Sequence, residues 1–130
     1  MPRRLFFDTY AMIAIAHKEA AFEPYLDAEP VTTWWNVTEF YFISRRDGVP
    51  QATAELIARR YRPCCVEPKD STYFSAAEFR LRHRFRDSSG KFKRVSYADA
   101  VGYQVSLSQG IPFLTGDRGF KSLANVEFVR

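Results

Sequence analysis

The chain has 130 residues, of which 46% are aliphatic or aromatic and 26% are charged, a typical globular composition. No apolar stretch approaches the roughly 20 residues that a membrane helix needs, and two histidines with two cysteines make a conventional zinc site an unfavourable interpretation. The formal net charge of +4 permits a polyanionic partner. The N-terminal residues show no signal-peptide pattern, so we expect a cytoplasmic protein with no membrane contact.

The first half of the chain alternates strand and helix patterns. It predicts, in chain order, a strand, an alanine-rich helical region, a strand, two helices and a short strand, over residues 4–8, 9–29, 31–35, 36–48, 49–61 and 63–68. Pro30 ends the first helical region. Asn36 is a possible N-cap of the helix that follows, and Gly48 ends that helix.

The second half predicts a helix, a polar loop, a helix and two strands, over residues 70–85, 87–94, 96–110, 111–117 and 126–129. The apolar face of the first of these helices is predicted from helical spacing to hold Phe74, Ala77, Leu81 and Phe85. Ser96 is the N-cap of the second helix, and Gly110 ends it. Strands that alternate with helices favour a mostly parallel sheet covered on both faces.

Two of the predicted strands end in an acid. Asp8 ends the apolar run "LFFD", and Asp117 ends "PFLTGD". Aspartate is a poor strand former and is rarely buried unless it is paired. In such sheets ligands bind beyond the carboxyl ends of the strands, where strand order reverses, so both acids lie where the fold places a site. The alternative is that each acid caps the helical segment after its strand.

Two further acids occupy unusual positions on helices. Glu39 is followed by Phe42 and Ile43 three and four residues later, so it projects from an apolar helical face. Asp99 lies in the first turn of the helix that Ser96 opens. Structural explanations exist here too: Asp99 resembles part of a capping box, and a small helix rotation would bring Glu39 to the surface. If all four acids converge, they form one carboxylate pocket.

A pocket of four carboxylates has a chemical consequence. At an effective dielectric near 20, two like charges about 4 Å apart repel by roughly 4 kcal/mol. A hard divalent cation removes that penalty, and carboxylate oxygens are the ligands that Mg²⁺ and Mn²⁺ prefer. Such a site suits phosphoryl chemistry, because the metal offsets charge on a phosphodiester and helps to deprotonate an attacking water.

Four segments resemble the PIN-domain ribonucleases, particularly the VapC toxins of toxin–antitoxin modules. They are "LFFDTY", "NVTEFYFI", "SYADAVGYQVSL" and "PFLTGDRGFKSL", and together they extend over essentially the whole chain. By this resemblance the metal-binding acids are Asp8, Glu39, Asp99 and Asp117. Thr115 matches the family's hydroxyl residue two positions before the last acid, whereas Tyr10 stands where the family often has a small polar residue.

The resemblance implies a single PIN domain over residues 1–130. Its fold is a three-layer α/β/α arrangement around a mostly parallel five-stranded sheet in the order 3-2-1-4-5. That order puts strands one and four side by side, so Asp8 and Asp117 would be neighbours. The resemblance also implies Mg²⁺ or Mn²⁺ as the cofactor, a homodimer, and a cognate antitoxin that blocks the site.

Residues 80–94 hold seven of the nineteen lysines and arginines, with Phe85 and Phe92 interleaved. One interpretation is a solvated helix end and loop, to which His83 would also belong. The other is an RNA-binding surface, where cations hold phosphates and a ring stacks on an unpaired base. The residues predicted to bind RNA are Arg80, Arg84, Arg86, Lys91, Lys93 and Arg94.

The sequence thus predicts a metal-dependent endoribonuclease that hydrolyses RNA phosphodiester bonds, as the toxin of a VapBC-type module. Its expected partners are RNA and an antitoxin, and its catalytic candidates are Asp8, Glu39, Asp99, Asp117 and Thr115. The alternative is a non-catalytic RNA-binding module of the same fold in which the acids serve as caps. A phosphoacceptor receiver domain fits poorly, since "FFDTYA" and "CCVEPKD" lack the acids that such a domain needs.

Overall fold

The structure is a computed structural model that describes residues 2–130. Its strands are β1 Arg4–Phe7, β2 Glu29–Val31, β3 Phe85–Arg86, β4 Phe92–Lys93, β5 Phe113–Thr115 and β6 Val126–Phe128. Its α-helices are α1 Thr9–Ala16, α2 Trp34–Arg46, α3 Gln51–Arg60, α4 Asp70–Arg82 and α5 Tyr97–Gln109. Short 3₁₀ helices cover Ala20–Tyr25, Arg62–Cys64 and Arg118–Phe120. Within residues 2–130, no helix combines the length and the hydropathy required to span a bilayer.

Four parallel strands form the main sheet, in the order β2-β1-β5-β6. Phe6 of β1 lies opposite Val31 on one side and Phe113 on the other. The first and fourth predicted strands are therefore adjacent, as expected. Because successive residues of a strand point to opposite faces, Leu5 and Phe7 pack among the helices of one layer while Phe6 packs against those of the other. The predicted three-layer α/β/α class is confirmed.

The predicted third strand is reduced to a single bridge between Thr32 and Cys65. Backbone hydrogen bonds flank that bridge, from the Thr32 amide to the Cys64 carbonyl at 3.0 Å and from the Val66 amide to the Thr32 carbonyl at 2.9 Å. Prolines at 63 and 68 bracket this segment, and proline cannot donate to a ladder. The strands follow the predicted order 3-2-1-4-5, but only four of them are full strands. The prediction of five full strands was wrong, because the third is a single bridge.

Helix α2 begins earlier than predicted. Its N-cap is Thr33, whose hydroxyl accepts a hydrogen bond from the backbone amide of Asn36 at 3.2 Å. The prediction that Asn36 caps this helix was therefore wrong, and its side chain is buried instead. Pro30 does not end a helix but lies within β2, which has β1 as its only full-length partner, so the proline removes no bond of the main ladder.

The buried face of α4 differs from the predicted one. Phe74 and Leu81 are 72% and 64% exposed, whereas Ala76 is fully buried. Phe79 packs against Tyr103 of α5, with ring centroids 5.2 Å apart. The helix ends at residue 82, and the predicted extension to residue 85 belongs to the next element. The spacing correctly predicted a helix here, but it predicted the solvent-exposed side of that helix as the buried one.

Candidate active site

Asp8 follows β1 directly and is fully buried. One of its oxygens, Oδ1, accepts a hydrogen bond from the amide of Ala11 at 2.7 Å and thereby caps α1. Its other oxygen, Oδ2, accepts a short hydrogen bond from the hydroxyl of Thr115 at the end of β5. The two sequence explanations of this acid are therefore compatible, because Asp8 both caps a helix and faces the end of the neighbouring strand.

Asp99 lies in the first turn of α5 and is also buried. Its backbone amide donates to the hydroxyl of Ser96 at 3.1 Å, which is the cap that the sequence predicts. Its carboxylate oxygen Oδ1 accepts a hydrogen bond from the side-chain amide of Asn36 at 2.9 Å and a longer one from the Thr9 amide at 3.5 Å. These contacts bring α2 and α5 together at the start of α1.

Glu39 and Asp117 join the two buried acids through threonine hydroxyls. The Thr9 hydroxyl donates to Oε1 of Glu39 at 2.6 Å. At the other side, the amide of Asp117 donates to the Thr115 hydroxyl at 2.9 Å, and that hydroxyl in turn binds Asp8. The side chain of Asp117 accepts from the Gly119 amide at 2.9 Å. Both Glu39 and Asp117 are half-buried, so the group opens to solvent on their side.

The electrostatics of the four acids reflect their proximity. Burial, reinforced by the charge of Asp99, raises the pKa of Asp8 well above its usual range. Burial also raises the pKa of Asp99 to about 7, with further contributions from the charges of Glu39 and Asp117. Lysine and arginine side chains do not compensate them, since none of the ion pairs within residues 2–130 includes any of these four acids. The pocket therefore holds excess negative charge whenever its acids are ionised.

The donor set matches a hard divalent cation in chemistry, because it consists of carboxylates with threonine and asparagine side chains around them. In their present rotamers, no three acidic, histidine or cysteine side chains within residues 2–130 stand close enough together to hold a metal ion. Both oxygens of Asp8, and one oxygen of each of the other three acids, are instead engaged by N–H or O–H donors. The residue types and the uncompensated charge fit Mg²⁺ or Mn²⁺, and side-chain rotation would be needed to complete a ligand shell.

Sequence reasoning missed Asn36, which is fully buried among the acids. Its side-chain oxygen accepts a hydrogen bond from the Thr33 hydroxyl at 2.7 Å, while its nitrogen reaches Asp99 and the hydroxyl of Thr9. A signal was available, because Asn36 lies three residues before Glu39 and residues at that spacing share a helix face. Because the sequence predicted Asn36 as a helix cap, this spacing was not used to place it in the site.

Tyr10, the departure from the family pattern, packs beside the last acid rather than joining the acid group. Its ring lies against Gly116, between Thr115 and Asp117, so closely that a Cβ at residue 116 would overlap it. The other side of the ring contacts Phe22, with centroids 6.0 Å apart. Tyr10 thus supports the loop that carries Asp117.

Solved structures similar to this chain include two from Mycobacterium tuberculosis and one from Pyrobaculum aerophilum. The crystal structure of VapC20, described as a Sarcin-Ricin loop cleaving toxin, is 18% identical and has a TM-score of 0.72 over 97% of this chain and 99% of that one. VapBC-5, described as a member of the VapBC family of toxin-antitoxin systems, is 21% identical with a TM-score of 0.63 over 99% of both. PAE2754 from Pyrobaculum aerophilum is 18% identical with a TM-score of 0.58 over 98% and 89%.

This chain has the PIN-like fold of the VapC proteins. The likeness covers nearly the full length of each chain compared, so it includes the strand ends and helix starts that carry the acids. No protein-family model and no curated protein matches the chain. The fold expected from the four sequence segments is thus confirmed by the structure. Sequence identities of 18% to 21% support a shared fold and do not by themselves assign an activity.

Residues 85–93 form a β-hairpin that the sequence did not predict; residues 87–91 of the predicted polar loop 87–94 are its turn, and residues 92–93 are its second strand. β3 and β4 pair antiparallel, with Phe85 opposite Lys93. Asp87 accepts hydrogen bonds from the amides of Ser89 at 2.8 Å and Lys91 at 3.0 Å, and Gly90 supplies the left-handed turn residue with φ 84°. A hydrogen bond from the Ser89 hydroxyl contributes most to lowering the pKa of Asp87 to about 2. The turn is therefore locally ordered by one carboxylate.

Cations predicted to bind RNA lie on and beside this hairpin. The guanidinium groups of Arg84 and Arg86 are 4.6 and 4.0 Å from the ring centroid of Phe92, which is 53% exposed. Lys91 is exposed at the turn. Several of these cations are engaged by the protein. Arg86 donates to the carbonyl of Gly90 at 2.9 Å, and Lys93 pairs with Asp87 at 3.4 Å. Arg94 donates to the carbonyl of Arg80 at 3.0 Å, and Arg80 donates to that of Val95 at 2.9 Å.

The stem of the hairpin contacts the loop that carries Asp117. A Cβ built at Gly119 would come within 2.8 Å of the Phe85 ring and 2.7 Å of Val95. His83, which the sequence placed on the basic surface, is half-buried, with its Nε2 atom 2.6 Å from the carbonyl oxygen of Gly119. Since the amide of Gly119 binds the carboxylate of Asp117, the basic hairpin and the acids share one loop.

Proposed function

We propose that this chain is an Mg²⁺- or Mn²⁺-dependent endoribonuclease that hydrolyses phosphodiester bonds in RNA. The observation that carries the proposal is the meeting of two buried carboxylates, Asp8 and Asp99, with no cationic side chain paired to either within residues 2–130. Such groups are costly unless they are neutralised by protons or by a bound cation. The metal would be held by Asp8, Glu39, Asp99 and Asp117.

Bound at these acids, a divalent metal would supply charge neutralisation at the scissile phosphate and a water of lowered pKa. The chain's own polar residues orient the carboxylates. Thr115 binds one oxygen of Asp8, Thr9 binds one oxygen of Glu39, and Asn36 binds one oxygen of Asp99. In each case the hydrogen bond helps to fix the orientation of the whole carboxylate, as in the outer shells of metal sites. We therefore assign Thr115 a positioning role beside the metal ligands.

The basic hairpin would bind the RNA backbone beside these acids. Its exposed guanidinium groups suit phosphate oxygens, and its stem contacts the loop of Asp117 through Phe85 and Gly119. Phosphate contacts position a nucleic acid without reading its sequence, so this surface would set where the backbone runs. The position of the hairpin supports this role over that of a detached solvated loop.

The biological role we propose is that of the toxin in a VapBC-type module, acting as a homodimer whose site is blocked by a cognate antitoxin. The resemblance in the four segments and the fold shared with VapC20 and VapBC-5 support it. A second candidate is a non-catalytic RNA-binding module. It is favoured by one observation, that Asp8 is the N-cap of α1 and Asp99 lies in the first turn of α5, positions where acids stabilise a fold without metal.

Cleavage of RNA in defined metal conditions tests the proposal. Unstructured RNA should be cut by the purified chain with Mg²⁺ or Mn²⁺ and left intact in EDTA. Asp8→Asn and Asp99→Asn should each lose nearly all activity, because amides bind hard cations far more weakly than carboxylates. Asp47→Asn, at the exposed end of α2, is the matched control and should keep it. RNA binding without cleavage, or activity in both folded active-site variants, would favour the non-catalytic module.

A further inference from the structure

Three aromatic side chains that the proposed active site does not use cluster beside it, where α2 and α5 begin. The ring of Trp35 lies 6.2 Å from that of Tyr97 and 6.3 Å from that of Tyr73, between centroids. Trp35 is 47% exposed and Tyr97 is 41% exposed. We call Trp35, Tyr73 and Tyr97 the aromatic shelf. Its rings form a partly open apolar surface, although aromatic side chains of this size gain much from burial.

The aromatic shelf adjoins the acids along both helices. Trp35 immediately precedes Asn36, whose side chain binds Asp99. Tyr97 lies two residues before Asp99 in the first turn of α5, and alpha carbons at that separation in a helix are about 5 Å apart. The shelf and the acid group are therefore carried by the same two helix starts.

One arginine borders the aromatic shelf. The guanidinium of Arg80 is 5.6 Å from the ring centroid of Tyr97, and its Nε atom donates to the carbonyl of Val95 at 2.9 Å. Arg80 belongs to no ion pair within residues 2–130, so its charge is not neutralised by an acid there. Flat aromatic faces with such a cation beside them are complementary to a nucleic acid strand rather than to a second copy of this cationic surface.

We propose that the aromatic shelf is a base-stacking subsite for an unpaired nucleotide next to the scissile phosphate. The base would stack on Trp35 and Tyr97, and Arg80 would contact the adjoining phosphate. This inference rests on the proposed ribonuclease function and adds a nucleotide-binding subsite to it. A base inside a helix has no free face, so the subsite would select single-stranded or looped RNA over duplex RNA.

Tryptophan fluorescence reports directly on the subsite, because the chain has only two tryptophans, Trp34 and Trp35. Trp34→Phe leaves Trp35 as the sole reporter, and Trp35→Phe leaves its neighbour as the matched control. Both would be titrated in EDTA with an unstructured RNA of about twelve nucleotides and with the same strand in a perfect duplex. Stacking should quench the emission of Trp35 strongly with the single strand and weakly with the duplex. Trp34 should respond less to either probe.

Affinity measurements on side-chain variants give a second readout. Trp35→Leu and Tyr97→Leu keep apolar packing but remove the flat ring, and each should weaken single-strand binding by about tenfold. Tyr97→Phe retains the ring and should recover most of the affinity lost in Tyr97→Leu. Phe74→Leu, on the exposed face of α4, changes a more exposed aromatic residue outside the shelf, and this variant should bind RNA as the parent does. Melting temperatures establish that each variant is folded.

The outcomes separate the inference from the function on which it rests. Normal single-strand affinity in folded Trp35→Leu and Tyr97→Leu would overturn the stacking subsite while leaving the ribonuclease intact. If the chain does not cleave RNA with metal but its RNA binding still depends on the shelf, only the proposed ribonuclease activity is overturned. If sedimentation shows that the leucine variants separate a dimer into single chains at unchanged affinity per chain, the shelf is an interface between copies and the proposal is wrong.

Discussion

The side-chain amide of Asn36 and the carboxylate of Asp99 are joined by a 2.9 Å hydrogen bond between α2 and α5, and both groups are buried. The bond aligns the start of one helix with the start of the other, and it leaves Asp99 oriented toward the remaining acids. A carboxylate without this donor would have to be neutralised by a proton or a cation. The pair therefore connects the stability of the fold to the geometry of the proposed site.

Exchanging the two members of this pair tests the connection. Asn36→Asp alone adds a carboxylate beside Asp99 and should destabilise the metal-free chain by about 1–3 kcal/mol, through repulsion and a lost donor. Combined with Asp99→Asn, it restores one amide and one carboxylate, so the double variant should regain most of the lost stability. Denaturant unfolding of the four chains gives the coupling free energy. Additive losses would show that the hydrogen bond carries no coupling.

The metal-free protein should become less stable as pH rises through neutrality. The pKa of Asp99 is about 7 in the folded chain against an ordinary value of 3.8, because burial and neighbouring charges favour its protonated form. Between about pH 4 and 7 the folded state then binds a proton that the unfolded state releases, so the free energy of unfolding falls with increasing pH. Asp8, with its pKa also raised, acts in the same direction.

Melting curves in EDTA between pH 5 and 8 check this sign. The melting temperature should be highest at the acidic end, and Asp99→Asn should flatten the dependence. Asp47→Asn removes an exposed acid and serves as the control. The prediction would be contradicted if the melting temperatures of the wild type and of Asp99→Asn rose by the same amount between pH 5 and pH 8.

Mn²⁺ should stabilise the folded chain at neutral pH. A cation that binds only the folded state adds about 2.7 kcal/mol at one hundred times its dissociation constant, which corresponds to several degrees in melting temperature. EDTA should reverse the increase. Asp99→Asn should be at least as stable as the wild type without metal, because it relieves repulsion, and it should lose the response to Mn²⁺. Wild-type melting that is indifferent to millimolar Mn²⁺ would rule out a shared metal site.

The basic hairpin should control the salt dependence of RNA binding. Replacing Arg84, Arg86 and Lys93 with glutamine removes three positive charges, so the slope of log affinity against log salt should flatten by up to about 2 for a single strand. Titrations in EDTA measure that slope, and cleavage at saturating RNA should fall less than affinity does. The control triple is Arg45, Arg46 and Arg60, which lies at the exposed C-terminal ends of α2 and α3. Equal slopes in the two triples would identify the hairpin as a solvated surface.

Local signals in the sequence were sufficient for most of the order of elements and for selecting the four acids as candidates. Ser96 and Gly110 bound α5 as predicted, since an N-cap hydroxyl and a left-handed glycine act on backbone groups a few residues away. The acids stood out for a similar reason, because a carboxylate at the end of an apolar strand or on an apolar helix face is costly wherever the chain folds. Their convergence was an inference from parallel-sheet topology. In the structure the charges of the four acids act on one another, but within residues 2–130 no three of them stand close enough to hold a metal ion.

Features that depend on contact between distant segments could be decided only by the tertiary structure. Asn36 reads as a cap in sequence, and its bond to Asp99 exists only because α5, 63 residues later, packs against α2. The buried side of α4 follows from the position of Tyr103, so helical spacing alone selected Phe74 and Leu81 wrongly. The hairpin and the aromatic shelf also depend on contacts between segments that are distant in the sequence. Each depends on which surface another element covers, and neither spacing nor propensity along one segment contains that information.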